Sequence, residues 1–112
     1  MYRGELWWAN LPNPVGSEPG DRRPVLVVQD DAFTQSWINT VTVVMISSNI
    51  QLAEAPGNVG LPRGISGLSK DSVINVSQIL TVDKTFLVER IGSIPDSWQE
   101  EVDGGLGTVL YL

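Results

Sequence analysis

Apolar residues fall in short stretches separated by Gly, Pro, Asn and Asp clusters along most of the chain, the pattern of strands joined by turns. Residues 5–11 read as a strand, and strand alternation sends Trp7 and Trp8 to opposite faces. Residues 11–21, with three of the seven prolines and two glycines, read as a long exposed loop. Residues 24–29, Pro-Val-Leu-Val-Val-Gln, are almost continuously apolar, as in a strand buried on both faces. Pro24 has no N–H to give to a ladder and fits only the first position of that strand. A second loop covers 30–39, and residues 40–46 form a second buried strand rich in β-branched side chains.

Beyond Asn49 the pattern weakens. Residues 55–58 are a turn, 59–61 a short strand and 62–70 another glycine-bearing loop. Residues 72–80 alternate, which predicts Val73, Asn75, Ser77 and Ile79 on one face and Ser72, Ile74, Val76, Gln78 and Leu80 on the other. A last strand is expected at 86–91. The tail then changes period: Trp98, Val102, Leu106 and Val109–Leu110 recur at helical spacing. Ser97 and Glu100 have the spacing of a capping box at the start of this helix. Gly104, Gly105 and Gly107 each weaken it by about 1 kcal/mol relative to alanine, so it depends on packing against the strands. Several short strands and one terminal helix imply a mainly β fold, a small, strongly bent sheet or barrel with a helix packed on it. There is no internal repeat.

Length and composition narrow this picture. The 112 residues, 42% apolar and 18% charged, suit one globular domain spanning 1–112. No apolar run approaches the roughly 20 residues of a membrane span, and residues 1–5 lack the apolar stretch of a secretory signal. With no cysteine and no histidine, disulfides, thiolate metal sites, zinc enzymes and triad hydrolases all become poor readings. Adjacent strand residues point opposite ways, so Asp30 and Asp31 do not make a metal site. The net charge of −6 opposes binding to nucleic acid. Its distribution softens that objection: residues 91–112 hold four acids and no base, leaving seven bases against nine acids in the first 90.

The segment 16–29, Gly-Ser-Glu-Pro-Gly-Asp-Arg-Arg-Pro-Val-Leu-Val-Val-Gln, resembles the hallmark of the MazF/PemK toxin family. The opening Arg3-Gly4-Glu5-Leu6-Trp7-Trp8, the stretch Asp71-Ser72-Val73 with Gln78 and Thr81-Val82-Asp83-Lys84, and the helix around Glu101-Val102-Asp103 resemble the family's other elements. The resemblance implies an SH3-like barrel of the CcdB/MazF/PemK type with a C-terminal helix. It further implies a homodimer, a cognate acidic antitoxin and a bacterial cytoplasmic location. The reaction it implies is sequence-specific cleavage of single-stranded RNA without metal or cofactor. The substrate's own 2′-hydroxyl attacks the adjacent phosphate, leaving a 2′,3′-cyclic phosphate and a 5′-hydroxyl. Such chemistry suits a chain with no histidine or cysteine, because the nucleophile comes from the substrate.

On this resemblance Arg23 is the first candidate catalytic residue. Its guanidinium follows a flexible loop and precedes a buried strand, where it can fork onto a phosphate. Ser47 stands where the family usually has a threonine, keeping the hydroxyl and losing the methyl; the plain alternative is a strand-end cap. Gln78 matches a family glutamine, as a base or a phosphate contact, or else as a strand amide bonded to backbone. Ser17, Glu18, Arg22, Ser48 and Trp37 are candidate RNA contacts, with Glu18 accepting from a base edge or assisting proton transfer. Trp37, in a polar loop, is placed to stack on an unpaired base or to sit at a dimer interface. Two rivals stand beside this reading. One is a CcdB-like, non-enzymatic poison of DNA gyrase; the other is a degenerate toxin with little activity.

Overall fold

The computed structural model describes residues 1–11 and 22–112. Six strands make one antiparallel sheet: β1 (Glu5–Asn10), β2 (Arg22–Val27), β3 (Thr40–Ser47), β4 (Val59–Leu61), β5 (Ser72–Asp83) and β6 (Leu87–Ser93). Their spatial order is β4-β5-β3-β2-β1-β6, and every neighbouring pair runs antiparallel. The sheet curls into a half-barrel, with apolar side chains packed on both faces. The helix α2 (Asp96–Leu110) covers one face. There Leu6, Leu26, Val44, Ile46, Ile74, Val76 and Val102 form a buried cluster joined by Trp8, Trp98 and Leu106. The other face carries Ala9, Val25, Val27, Val41, Val43, Met45 and Leu87, joined by Trp7 and Phe86. Trp7 and Trp8 therefore part to the two faces, as alternation requires.

Three local expectations change. The loop 30–39 contains a one-turn helix, α1 (Asp31–Thr34), capped by the Asp30 carboxylate, which accepts from the Ala32 N–H at 2.8 Å. The capping box at the start of α2 does not form. Pro95 is the N-cap and no side-chain bond is made there, because the helix begins two residues earlier than a Ser97 cap requires and Ser97 falls inside its first turn. Simple alternation also fails along β5. Val44 of β3 pairs with Ile79 and the next residue, Met45, pairs with Asn75, so β5 holds an excess of residues at this point. The resulting bulge inverts parity, and Ile79 joins Ile74 and Val76 in one cluster instead of facing away from them.

The two ends of the described chain are tied together. Gly4, at φ +89°, donates its N–H to the Val27 carbonyl and accepts from the Ile94 N–H, both at 2.9 Å. Beside it Arg3 bonds the Val28 carbonyl at 2.9 Å and the Asp103 carboxylate of α2 at 2.6 Å. Among the described residues no helix is long and apolar enough to cross a membrane.

Candidate active site

The register of β2 against β3 sets Val25 across from Met45. That pair ends the ladder; the same register extended two residues would set Arg23 across from Ser47, and both side chains line one groove. Side chains opposite one another in such a pair lie on the same face about 5 Å apart. Arg23 is half-buried in β2, where its backbone partner on the other side is Ala9. Beyond Ser47 the chain turns, with the Asn49 carboxamide capping the 3-10 turn Ile50–Glu54.

Arg23, Ser47, Ser48, Asn49 and Lys70 line one groove of about 570 Å³, floored by Trp8, Ile46 and Leu68. Two cations and several hydroxyls face this space, and no acid is among its described lining residues. In a chain of net charge −6 that is a reversal of sign among the described lining residues. A second hollow, of about 420 Å³ beside Trp98, is lined by both Asp71 and Glu101 and has the opposite character. The carboxylates held below the usual range among the described residues, Glu5, Asp83 and Asp103, all lie outside the groove lining.

The Ser47 hydroxyl accepts from the Asn49 N–H at 3.1 Å. It therefore caps the strand end, and its own proton is still available to another acceptor, since a hydroxyl donates once and accepts twice. Ser48 beside it is exposed. The geometry thus draws together Arg23, Ser47 and Ser48 of the sequence candidates.

Others lie elsewhere. Arg22 forms an ion pair with Glu89 of β6 and stacks over Trp8, its guanidinium carbon 5.2 Å from the ring centroid. Gln78 sits at the β5 bulge, where its carbonyl oxygen accepts from the Asn75 amide at 3.1 Å, and it does not line the groove. Trp37 is 90% exposed and precedes β3, so the full length of that strand separates it from Ser47. Asp30 and Asp31 are engaged by main-chain N–H groups, Asp30 by Ala32 and Asp31 by Arg3. Ser17 and Glu18 lie outside the described residues. Sequence reasoning missed Lys70 as a groove residue. Lys70 ends a glycine-bearing loop just outside the Asp71-Ser72-Val73 stretch, and only the adjacency of β5 to β3 carries it to Ser47.

A family model described as the PemK-like, MazF-like toxin of type II toxin–antitoxin systems matches residues 2–110. The endoribonuclease MazF6 of Mycobacterium tuberculosis is 49% identical over 112 residues, covering 100% of this chain and 98% of that protein. The endoribonuclease EndoA of Bacillus subtilis is 38% identical, covering 100% of this chain and 96% of that one. Among solved structures, a MazE–MazF crystal structure from Deinococcus radiodurans superposes with a TM-score of 0.81 at 26% identity. It covers 100% of this chain and 96% of that one.

Proposed function

The chain belongs to the family of PemK-like, MazF-like toxins of type II toxin–antitoxin systems, and from that premise we propose how it acts as an endoribonuclease. Residues 1–112 work as one toxin domain in the bacterial cytoplasm, as a homodimer held inactive by a cognate acidic antitoxin. The substrate is single-stranded RNA, cut at particular sequences without a metal. One observation carries this reading: a groove with two cations, four serines and no described acid, on a protein whose net charge is −6. Such a groove fits a phosphodiester, and its charge suits both the RNA and an acidic antitoxin competing for the same place.

In the reaction the RNA 2′-oxygen forms a bond to the adjacent phosphorus and the bond from phosphorus to the 5′-oxygen breaks. Negative charge grows on the non-bridging oxygens of the phosphorane. Arg23 neutralises it with a bidentate fork, and the Ser47 hydroxyl donates to a non-bridging oxygen. A guanidinium carries only donors and is a poor base. Its easier second role is to donate a proton to the leaving 5′-oxygen. The described groove lining offers no carboxylate, so the 2′-hydroxyl proton leaves to water, or to Glu18 from the segment before β2.

The purified protein, free of antitoxin, is incubated with a long single-stranded RNA in EDTA beside a folded Arg23→Ala variant. Discrete cuts by the wild type, ending in 2′,3′-cyclic phosphate and 5′-hydroxyl, are expected. Arg23→Ala should be slower by about 10²–10³-fold, the usual cost of removing one transition-state donor. Equal cutting by both proteins, or ends bearing a 5′-phosphate, would refute the mechanism.

A further inference from the structure

The chain has seven Lys and Arg residues, and the structure shows how nearly all of them are used. Arg3 is paired with Asp103, Arg22 with Glu89 and Arg90 with Glu5. Lys84 is bound by the carbonyl oxygens of Thr34 and Ser36, at 2.7 and 3.4 Å. Arg23 has a partner as well. Arg63 and Lys70 remain, both in the loop between β4 and β5, and of these only Lys70 lines the groove. Its ammonium has no ion pair or hydrogen bond among the described residues.

The loop presents Lys70 from a fixed base. The Ser72 hydroxyl donates to the Lys70 carbonyl at 3.0 Å, and the Asp71 carboxylate accepts from the Arg63 N–H at 2.9 Å. Further back, Gly67 takes φ +97° and lies so close to β6 that a Cβ there would stand 2.8 Å from the Ile91 carbonyl oxygen. A fixed main chain carrying an unpaired ammonium on a flexible stem is a means of catching a point charge that arrives with a ligand. Were Lys70 a structural cation, it would have an acid beside it, as Arg3, Arg22 and Arg90 do, or carbonyl oxygens around its ammonium, as Lys84 does.

We propose that Lys70 is an RNA-binding residue that anchors a phosphate next to the scissile one, leaving Arg23 and Ser47 for the phosphate that reacts. This rests on the ribonuclease reading above and deepens it. A neighbouring phosphate keeps the same charge in ground and transition states, so Lys70 contributes uniform binding and acts on KM instead of kcat.

The test is steady-state cleavage of single-stranded RNA by the wild type, Lys70→Ala, Lys70→Arg and Arg63→Ala, at salt concentrations from about 50 to 200 mM. Lys70→Ala should raise KM roughly tenfold, the scale of a lost hydrogen bond to a charged group, with kcat nearly unchanged. The slope of log(kcat/KM) against log[salt] should become shallower by about 0.7, the loss of one single-strand phosphate contact. Lys70→Arg should restore most of both, and Arg63→Ala should leave both as in the wild type. An unchanged KM and slope in Lys70→Ala, a loss confined to kcat, or an equal effect from Arg63→Ala would overturn the proposal. A wild type that does not cut RNA would instead remove the ribonuclease reading itself, which keeps the two failures apart.

Discussion

Replacing Gly105 by alanine adds one methyl group where α2 crosses the turn at Gly57. A Cβ built on Gly105 would stand 2.1 Å from the Gly57 carbonyl oxygen and 3.0 Å from its carbonyl carbon. Even a close carbon–oxygen contact is about 3.3 Å, so helix and turn must separate by roughly 1 Å. Both obstacles are backbone, and no side chain can rotate away. Overpacking of this kind costs about 1–3 kcal/mol, and a backbone-on-backbone clash belongs near the top of that range. Alanine returns about 1 kcal/mol of helix propensity, leaving a net loss of roughly 2 kcal/mol. For a domain near this size that lowers Tm by about 8 °C. Gly104 and Gly107 supply the internal control, since a Cβ on either meets nothing within 4 Å. There the propensity gain of up to about 1 kcal/mol acts alone, and Tm should rise by up to roughly 4 °C in each variant. Thermal and urea denaturation of the three single variants reads the contrast. If Gly105→Ala melts at or above the wild type, the close approach of α2 to the Gly57 turn is not what the helix requires at that position.

Two further outcomes follow from the site and from the chain ends. Ser47→Ala should slow kcat by about 10²–10³-fold, as loss of one donor to the growing phosphorane charge does, while Ser47→Thr keeps the hydroxyl and should stay near wild type; single-turnover cleavage distinguishes them. Burial alone would raise the pKa of Glu5. The Tyr2 N–H, the Trp7 indole and the Arg90 guanidinium outweigh it and hold the carboxyl below its ordinary range. At Asp103, Arg3 and Gln99 overcome burial in the same way. A carboxyl whose pKa is depressed on folding binds fewer protons in the folded state than in the unfolded one. Its stabilisation is therefore complete above the ordinary carboxylate pKa of about 4 and lost as pH falls through the lower folded value. Urea midpoints should accordingly hold level down to about pH 5 and fall below it, and in Glu5→Gln the acid-side fall should be smaller.

The strands were legible because apolar runs bounded by turn residues report burial directly. Residues 59–61 were read with the bounds that β4 has, and residues 40–46 fall one short of β3. What escaped depends on contacts between distant residues. The β5 bulge carries no glycine or proline to mark it, and only the pairing with β3 makes those residues superfluous. Gly105 looked like a weakness in a helix until Gly57 was set against it. At the candidate site, Arg23 and Ser47 come from the family resemblance, and the fold places both in the lining of one groove. Lys70 could not be found in this way. Which cations are neutralised is a property of neighbours such as Glu89 and Asp103, and those neighbours are scattered along the sequence.

The place of β1 in the sheet also governs when the protein can assemble. Its partner on one side, β2, follows closely in the sequence, whereas on the other side Glu5 pairs with Ser93. The β1–β6 ladder cannot form until residue 93 has left the ribosome, and α2, whose Val102 shares a cluster with Leu6 and Trp8, comes later still. Until then the strand carrying Trp8, part of the groove floor, has one open edge and an uncovered face. Folding dominated by such distant pairings is slow, on the order of milliseconds to seconds. Every residue assigned here to RNA cleavage in the described chain has been synthesised before β6, yet the sheet that holds them closes only at the end. The emerging polypeptide therefore passes through a stage in which the groups proposed to cut RNA exist but their frame does not.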